Sequence, residues 1–429
     1  MQKLIYFLLL LVVSFPFSSL HAKGIILADE STRSSLPYAS VFDGEGKLIG
    51  VSDAKGFLPF ISQKDYPITI KYLGYEDCIL ESIKSDTVFM TDFPLELSEL
   101  IIESKKYSHL HLLAYVREFS TLSTLNDTVT LFREKMVDFM TPIVNKSKIK
   151  GWRTPRVLTS KSFYRFTNDI GLDSVSDRCT YHFSWTDWMG LIPAAKLPKR
   201  LHNIETGSDT IFGKYSMTEL WQRDQDFVTL DIDVLADTSS RKWVSNLSLF
   251  FQKETDFEYF KAKYRFNPIS DNTINESSLT GFSFNIESKG RGREMFMFNR
   301  RNDPVYVSTY CEVFILDREY ITTKEASKWQ NLNIVGEDIA LLVPQEAPPL
   351  QPSIQKLIER VNNLNHEEVR LSIRPDLSNI GYKPQSVSIG HHVLQRLKGM
   401  FGIDQVIANK KWNKNYNDFK HNQRARNQQ

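Results

Sequence analysis

The chain has 429 residues, with 53 Lys+Arg against 51 Asp+Glu and a formal net charge of +2. A composition of 41% hydrophobic and 24% charged residues excludes a disordered or collagen-like chain, and the length predicts two or three folded domains. The near-neutral charge argues against a nucleic-acid binder with a broad basic face.

The first 22 residues have the pattern of a secretory signal peptide. Lys3 precedes an apolar run at 4–17, and small residues lead to a cleavage point after Ala22. As a helix, this run of about 14 residues would span about 21 Å, short of the roughly 30 Å hydrocarbon core. We therefore expect export to the periplasm or the outer-membrane surface, with no transmembrane span after signal removal.

Residues 23–104 are predicted to form a compact β-sandwich. Short apolar runs recur about every ten residues between turns rich in Gly and Asp, such as 43–46 and 53–56. This spacing leaves room for short strands joined by tight turns.

The order of motifs in this region resembles the carboxypeptidase regulatory-like domain, a transthyretin-like sandwich common at the front of exported Bacteroidota proteins. The motifs that carry the resemblance are 36–41, 50–57, 70–76 and the closing segment 94–103. The resemblance implies that Asp53 and Gly56 form a structural hairpin turn and that the domain is an accessory without catalytic residues. Pro59 departs from the family's uninterrupted strand and predicts an edge or a bulge.

Residues 105–409 are predicted to form an α+β domain on an antiparallel sheet of about six strands. Apolar and polar residues alternate at 228–234, 260–266 and 282–287, which places one face inward and leaves a polar face in water. The segment 109–119 is compatible with a short helix. Stretches between 151 and 176 are similar to exported Bacteroidota proteins with the same front domain, which implies shared architecture and no known chemistry.

C-terminal helices are predicted to cover the sheet. Thr322 and Glu325 form a capping box, and apolar stripes at helical spacing follow at 354–364 and 393–401. The tail 410–429 carries six basic residues against one acidic residue, so it is predicted to be disordered; docking on the acidic sandwich is the alternative.

The three cysteines, Cys78, Cys179 and Cys311, are too few for a disulfide framework and are interpreted as packing residues, with a Cys179–Cys311 bridge left open. His202 and Glu205 have the spacing of a zinc peptidase motif, but a chain with nine histidines produces this spacing by chance. We therefore predict no metal, no cofactor and no catalytic residues.

An aromatic cluster ahead of the predicted sheet is the candidate binding surface. It consists of Trp152, Tyr181, Trp185 and Trp188. Aromatic rings on a rigid scaffold stack on sugars or dock partners. The alternative is that Tyr181, Phe183 and Trp185, which alternate, form one buried strand face.

These patterns predict an exported cell-envelope binding or assembly module without catalytic activity, whose partner is an envelope protein or glycan. The alternative is a hydrolase acting on glycan, with carboxylates such as Asp231 and Asp233 on the polar face of the sheet. Two carboxylates about 5 to 9.5 Å apart in one cleft would favour the hydrolase.

Overall fold

The computed structural model describes most of the chain from residue 24 to residue 364. The described residues are 24–93, 107–143, 147–177, 189–192, 195–212, 218–225, 227–234, 256–267, 272–291, 304–332, 340–344, 347–364 and 410. The predicted signal peptide, the closing segment 94–103, the stripe at 393–401 and the basic tail beyond Lys410 lie outside them.

The N-terminal region is a small sandwich of two sheets. Its strands are β1 (Ile26–Asp29), β2 (Ser40–Phe42), β3 (Leu48–Val51), β4 (Ile68–Lys71), β5 (Cys78–Leu80) and β6 (Thr87–Met90). β1 and β6 form a parallel pair, and the second sheet has the antiparallel order β3-β2-β4-β5. The two sheets bury a shared apolar cluster that includes Leu27, Val41 and Ile70.

The turn predicted at 53–56 is present. Asp53 accepts hydrogen bonds from the backbone N–H groups of Lys55 and Phe57, both at 2.8 Å. Gly56 has φ +84°, a conformation that only glycine adopts without strain. Pro59 follows in an irregular segment, so the strand does not continue there.

The rest of the described chain is organised on one large antiparallel sheet. Its strands are β7 (His109–Ser123), β8 (Asp127–Pro142), β9 (Trp152–Asn168), β10 (Asp173–Ser176), β12 (Gly207–Ile211), β13 (Glu219–Asp224), β14 (Phe227–Asp233), β15 (Asp256–Phe266), β17 (Leu279–Arg291) and β18 (Pro304–Ile321). A separate small pair joins β11 (Ala195–Lys196) to β16 (Thr273–Ile274).

The order of the large sheet is β10-β9-β8-β7-β18-β17-β15-β14-β13-β12. One antiparallel meander contains β7 to β10 and reaches one edge of the sheet, and a second contains β12 to β15, β17 and β18 and reaches the other edge. The two meanders meet where β18 pairs with β7. The fold is mainly β with an antiparallel sheet, as predicted, but the sheet has ten strands within the described residues instead of about six.

The strands that the alternation did not predict include the segment 109–119, where the helix prediction was wrong. This segment lies in β7 and pairs with β8 and β18. Its residues alternate between the two faces of the sheet, and those on one face are the buried Leu110, Leu112, Ala114 and Val116. A period of two fits a strand, and non-local pairing on both sides holds it extended.

The sheet is strongly curved around its apolar face, the side that carries Val116, Phe139 and Phe282. The rings of Phe139 on β8 and Phe282 on β17 lie 6.3 Å apart, although two strands separate them. In a flat sheet, three inter-strand steps of about 4.8 Å would separate these strands by about 14 Å. The apolar face is therefore concave, and the segments 189–192 and 195–201 pack against it.

Two helices lie on the opposite, polar face, which carries His111, Phe119 and Lys263. They are α1 (Thr323–Gln330) and α2 (Pro352–Asn362). The capping box of Thr322 and Glu325 opens α1 as predicted. α2 lies against β9 and β10, and its apolar side chains belong to one cluster with aromatic residues of the polar face, such as Phe119 and Phe132. The helices therefore cover the sheet, but they lie on the polar face, which the alternation had predicted to be exposed to water.

The sandwich depends on one buried carboxylate at the end of β1. Asp29 is 2% exposed and accepts hydrogen bonds from the N–H groups of Ser31 and Thr32 and from the Tyr75 hydroxyl, at 2.6 to 2.8 Å. Burial acts to raise the pKa of Asp29, but hydrogen bonds from Thr32, Tyr75 and Ser31 outweigh it and leave this pKa below its ordinary value.

We expect Asp29→Ala to lower the free energy of unfolding by about 2 kcal/mol at pH 7, because it removes hydrogen bonds to a charged group. A lowered folded pKa contributes stability above the unfolded pKa of about 3.9, and this contribution is lost as pH falls through the folded pKa. The free energies of unfolding of wild type and Asp29→Ala, measured in urea, should therefore converge in strong acid. The exposed Glu76→Ala is the control and should change stability by less than about 0.5 kcal/mol; equal losses for both variants would contradict this account.

Candidate functional site

A row of charged side chains runs across the polar face where β14 and β15 pair. Asp231 lies directly opposite Lys263, and Asp233 lies opposite Lys261. Lys263 Nζ is 2.9 Å from Asp231 Oδ2, and Lys261 pairs with Asp233. Because the strands are antiparallel and in register, alternation along each strand brings opposite charges together.

The sandwich lies directly on this row, so that Asp231, Lys263 and Arg265 are each no more than 5% exposed. Lys263 donates a hydrogen bond to the Tyr72 hydroxyl, and its ammonium lies 4.0 Å from the centre of the Tyr72 ring. Lys261 lies 4.7 Å from the ring centre of Tyr38. The expectation that the polar face lies in water is therefore wrong here, because a second domain supplies the partners that water would otherwise provide.

Burial shifts the pKa values of these groups in the directions that favour their neutral forms. It raises the pKa of Asp231, although the ammonium groups of Lys263 and Lys261 oppose the change. It lowers the pKa of Lys263, against the opposing effect of Asp231. For Tyr38, burial and then the charges of Asp231 and Asp233 raise the pKa to about 12. Desolvation is therefore the largest influence on the pKa values of all three groups.

A cavity remains between the two domains, lined by residues that include Tyr38, Lys71, Asp231 and Lys263. Its volume is about 10 Å³, close to the smallest volume that holds one water molecule. A sugar ring does not fit, and both carboxylates named for the hydrolase alternative are engaged by lysines. The geometry therefore gives that alternative no support.

Arg265 extends the row to the edge of the sandwich. Its guanidinium lies 3.2 Å from Asp92 and 3.6 Å from the centre of the Phe227 ring. Gly74 of the sandwich makes the closest approach, since a Cβ there would lie 1.8 Å from Arg265 Nη1. Gly74 also has φ +85°, so both space and backbone conformation require glycine.

A second charged cluster lies where the sandwich meets β7 and β18. Lys71 contacts Asp77 within the sandwich, and both side chains are at least 95% buried. Glu312 of β18 accepts a hydrogen bond from the Tyr310 hydroxyl at 3.0 Å and lies 3.9 Å from Arg117. Four charged groups are therefore enclosed together.

A third cluster holds α1 on the polar face. His111 Nε2 lies 2.9 Å from Asp138 Oδ2, and Arg156 Nε donates to Asp138 Oδ1 at 2.8 Å. The Trp329 ring of α1 stacks on His111 with 4.4 Å between ring centres. These residues are far apart in the sequence, and no motif pointed to them. By contrast, the alternating charges of β14 and β15 were visible in the sequence.

The predicted aromatic surface is described only at Trp152. This residue begins β9 and is half-buried, with its Nε1 donating to the Asp138 carbonyl at 3.0 Å. The Arg156 guanidinium lies 4.1 Å from the ring centre and covers one face of the ring. Tyr181, Trp185 and Trp188 lie outside the described residues, so the binding surface stays a prediction.

The other residues considered in the sequence, a pair with metal-ligand spacing and the cysteines, do not form a site in the described structure. His202 Nε2 contacts the Leu197 carbonyl at 2.9 Å, and Glu205 is exposed. Within the described ranges, no group of three or more His, Cys, Asp or Glu side chains could hold a metal ion. Cys311 is buried in β18 among the apolar residues of the concave face, and Cys179 lies outside the described ranges.

No helix in the described part of the chain is long and apolar enough to cross a membrane. The chain matches no protein family and none of the curated proteins. Among solved structures it is similar to lipovitellin, from a study of lipid–protein interactions, at 8% identity and a TM-score of 0.25. That match covers 50% of this chain and 26% of the lipovitellin chain.

We expect Gly74→Ala to lower the free energy of unfolding by about 2 to 4 kcal/mol, because the new Cβ is strained at positive φ and collides with Arg265. Gly171→Ala is a matched control, since Gly171 has φ +91° but nothing within 4 Å of its Cβ position. This control should lose about 1 to 2 kcal/mol. Urea unfolding compares the two, and equal losses would contradict a close contact between the domains at Gly74.

A double-mutant cycle tests the buried pair of Lys263 and Asp231. Lys263→Met alone should cost about 3 to 5 kcal/mol, because it leaves a buried carboxylate unpaired. The double variant with Asp231→Leu should cost less than either single change, since no charge stays buried. Arg200→Met removes a pair whose arginine side chain is 83% exposed and should have almost no effect. Additive losses in the cycle would contradict the coupling.

Proposed function

We propose that this protein is an exported binding or assembly module of the cell envelope and acts without catalysing a reaction. The location follows from the signal-like first 22 residues and from the resemblance of 23–104 to the carboxypeptidase regulatory-like domain. Both lead us to propose a protein of the periplasm or of the outer-membrane surface. The binding role rests on a surface feature at one edge of the sheet.

That feature is the apolar tip of the hairpin between β9 and β10, formed by Ile170, Gly171 and Leu172. Ile170 is 92% exposed and Leu172 is 41% exposed. The tip is nevertheless ordered, because Asn168 Oδ1 accepts from the N–H groups of Ile170 and Leu172 at 3.1 and 2.8 Å. A rigid turn that holds two large aliphatic side chains in water is typical of a preformed contact for a partner.

The base of the hairpin is held against the rest of the molecule. Arg165 of β9 pairs with Asp173 of β10 at 3.0 Å, and Arg360 of α2 reaches the same carboxylate at 3.2 Å. Arg165 also reaches Glu45 of the sandwich at 3.1 Å. The sandwich, the sheet and α2 therefore all fix the position of the tip, as a binding scaffold requires.

The chemistry of the tip favours a protein over a glycan as the partner. Sugars are bound by stacking on aromatic rings, whereas Ile170 and Leu172 are aliphatic and suit an apolar pocket. Burying the Ile170 side chain would contribute about 1.5 to 3 kcal/mol, and Leu172, which is only 41% exposed, would add a smaller amount. That is enough to make the tip a major part of a specific contact.

Co-sedimentation of the purified protein with washed envelope fragments tests the proposal. Wild-type protein should pellet with the fragments, and Ile170→Ser/Leu172→Ser should bind at least about tenfold more weakly, because two apolar contacts are lost. Phe212→Ser is the matched control, since Phe212 is 74% exposed beside β12 at the opposite edge of the sheet. It should bind as wild type does.

Protease treatment of the fragments separates the two partner classes. Loss of binding after this treatment supports an envelope protein as the partner. Retained binding identifies a glycan and contradicts the argument that the aliphatic tip binds a protein. A wild-type protein that stays in the supernatant, or a double variant that pellets as well as wild type, would overturn the binding role assigned here.

A further inference from the structure

The cavity of about 10 Å³ between the sandwich and the large sheet has walls from both domains. Among its lining residues, Lys71 and Tyr72 belong to the sandwich, and Asp231 and Ser283 belong to β14 and β17. A volume of about 10 Å³ is the lower limit for one water molecule. The cavity therefore has room for one very small molecule and for nothing larger.

The ammonium group of Lys71 has more hydrogen-bond donors than described acceptors. Only 1% of this side chain is exposed, and its Nζ contacts Asp77 Oδ2. The centre of the Phe119 ring lies 5.2 Å from Nζ, so the ring can face one further N–H group. Because an ammonium group carries three N–H donors, at least one has no acceptor among the described residues. A buried donor without an acceptor is costly, so we expect a further acceptor beside Lys71.

Two groups on the sheet side of the cavity also have unused hydrogen-bonding capacity. Ser283 is 6% exposed, and its hydroxyl makes no hydrogen bond within the described part of the chain. Asp231 is 5% exposed, and Lys263 donates to its Oδ2 at 2.9 Å, whereas no described group donates to its Oδ1. A donor, an acceptor and a hydroxyl group that is both therefore belong to residues that line the same cavity.

We propose that this cavity binds one water molecule, which bridges Lys71 of the sandwich to Asp231 and Ser283 of the sheet. The water oxygen accepts a hydrogen bond from Lys71 Nζ, and one of the water hydrogens is donated to Asp231 Oδ1. The third hydrogen bond joins the water to the Ser283 hydroxyl. Three hydrogen bonds are typical of a buried water molecule.

The charges around the cavity favour a neutral molecule over an ion. A chloride ion would lie close to the carboxylate of Asp231, and a metal cation would lie close to the ammonium groups of Lys71 and Lys263. Chloride is also larger than water, and the cavity is at the lower limit for water. Water, which both donates and accepts, matches all three unused groups.

The water links an ion pair of the sandwich to an ion pair of the sheet. Lys71 is paired with Asp77, and Lys263 is paired with Asp231. Burial raises the pKa of Asp231. A hydrogen bond from the water favours the ionised form of this carboxyl group and therefore its pairing with Lys263. The contact between the domains is thus stabilised by a hydrogen-bond bridge in addition to direct contacts.

A crystal structure of the purified full-length protein, at a resolution that shows other buried waters, tests the proposal. We expect one peak in the cavity, about 2.6 to 3.2 Å from Lys71 Nζ, Ser283 Oγ and Asp231 Oδ1. Crystals grown with bromide in place of chloride should show no anomalous signal at this peak. An anomalous signal there identifies an anion, and a cavity without density contains no ordered water. Either result overturns the proposal.

Two matched valine variants measure what the bridge contributes. Ser283→Val places a larger apolar side chain at the cavity and should displace the water, so that Lys71 loses an acceptor. Ser308→Val is the control, because Ser308 is also buried on the polar face, its hydroxyl has no partner among the described residues, and it does not line the cavity. The urea midpoint of Ser283→Val should fall further than that of Ser308→Val, and equal midpoints would contradict the bridge.

Ser283→Ala keeps the result interpretable if the valine variant does not fold. Alanine leaves the space in the cavity, so the crystal structure of this variant should keep the peak, bound by Lys71 and Asp231. Loss of the peak in this variant overturns the assignment of these two residues as ligands of the water.

Discussion

The burial of charged residues between the sandwich and the sheet is the constraint on which the rest of the structure depends. Asp231, Lys263 and Arg265 are stable away from water only because each has an opposite charge or an aromatic ring within reach. Removing a partner from such a pair costs about 3 to 5 kcal/mol, a large share of a typical protein's stability. The two domains therefore act as one structural unit. Each has a main apolar core of its own, and a third apolar cluster, which includes Phe42 of the sandwich and Phe119 of the sheet, joins them.

This constraint explains the assignment of the two faces of the sheet. The concave face buries apolar residues of almost every strand, and the convex polar face receives the sandwich, α1 and α2. With both faces occupied across the described residues, the hairpin tip at Ile170 and Leu172 is one of the places where large apolar side chains reach solvent. The proposed binding role follows from this distribution, because a scaffold with covered faces makes contact through its edges and loops.

Sequence patterns located several strands correctly but predicted too few strands for the sheet. Alternation at 228–234, 260–266 and 282–287 identified β14, β15 and β17, and the predicted Asp53 turn is present, with Gly56 at positive φ. The pattern of the segment 109–119 is compatible with a short helix, but the segment is a strand. Pairing with β8 and β18 determines its conformation, and such long-range partners leave no local signal.

In the candidate site, too, some features were visible in the sequence and others depend on tertiary contacts. Aromatic residues drew attention because large rings are typical of binding surfaces, yet Trp152 is half-buried beneath Arg156. The charged row of β14 and β15 was read as a solvated face, because alternation marks which residues share a face but not what covers that face. The charged cluster of Lys71, Asp77, Arg117 and Glu312 brings one hairpin of the sandwich together with two strands that are distant in the chain, and no spacing rule relates them.

The sequence by itself determined the class of the fold, the tight turns and the alternation of apolar and polar faces, because these depend on backbone preferences and on neighbours a few residues away. Only the tertiary structure decided the curvature of the sheet, which face the helices cover, and which charges are buried. Those outcomes depend on desolvation and on long-range pairing, and both are properties of surfaces that exist only after the chain has folded.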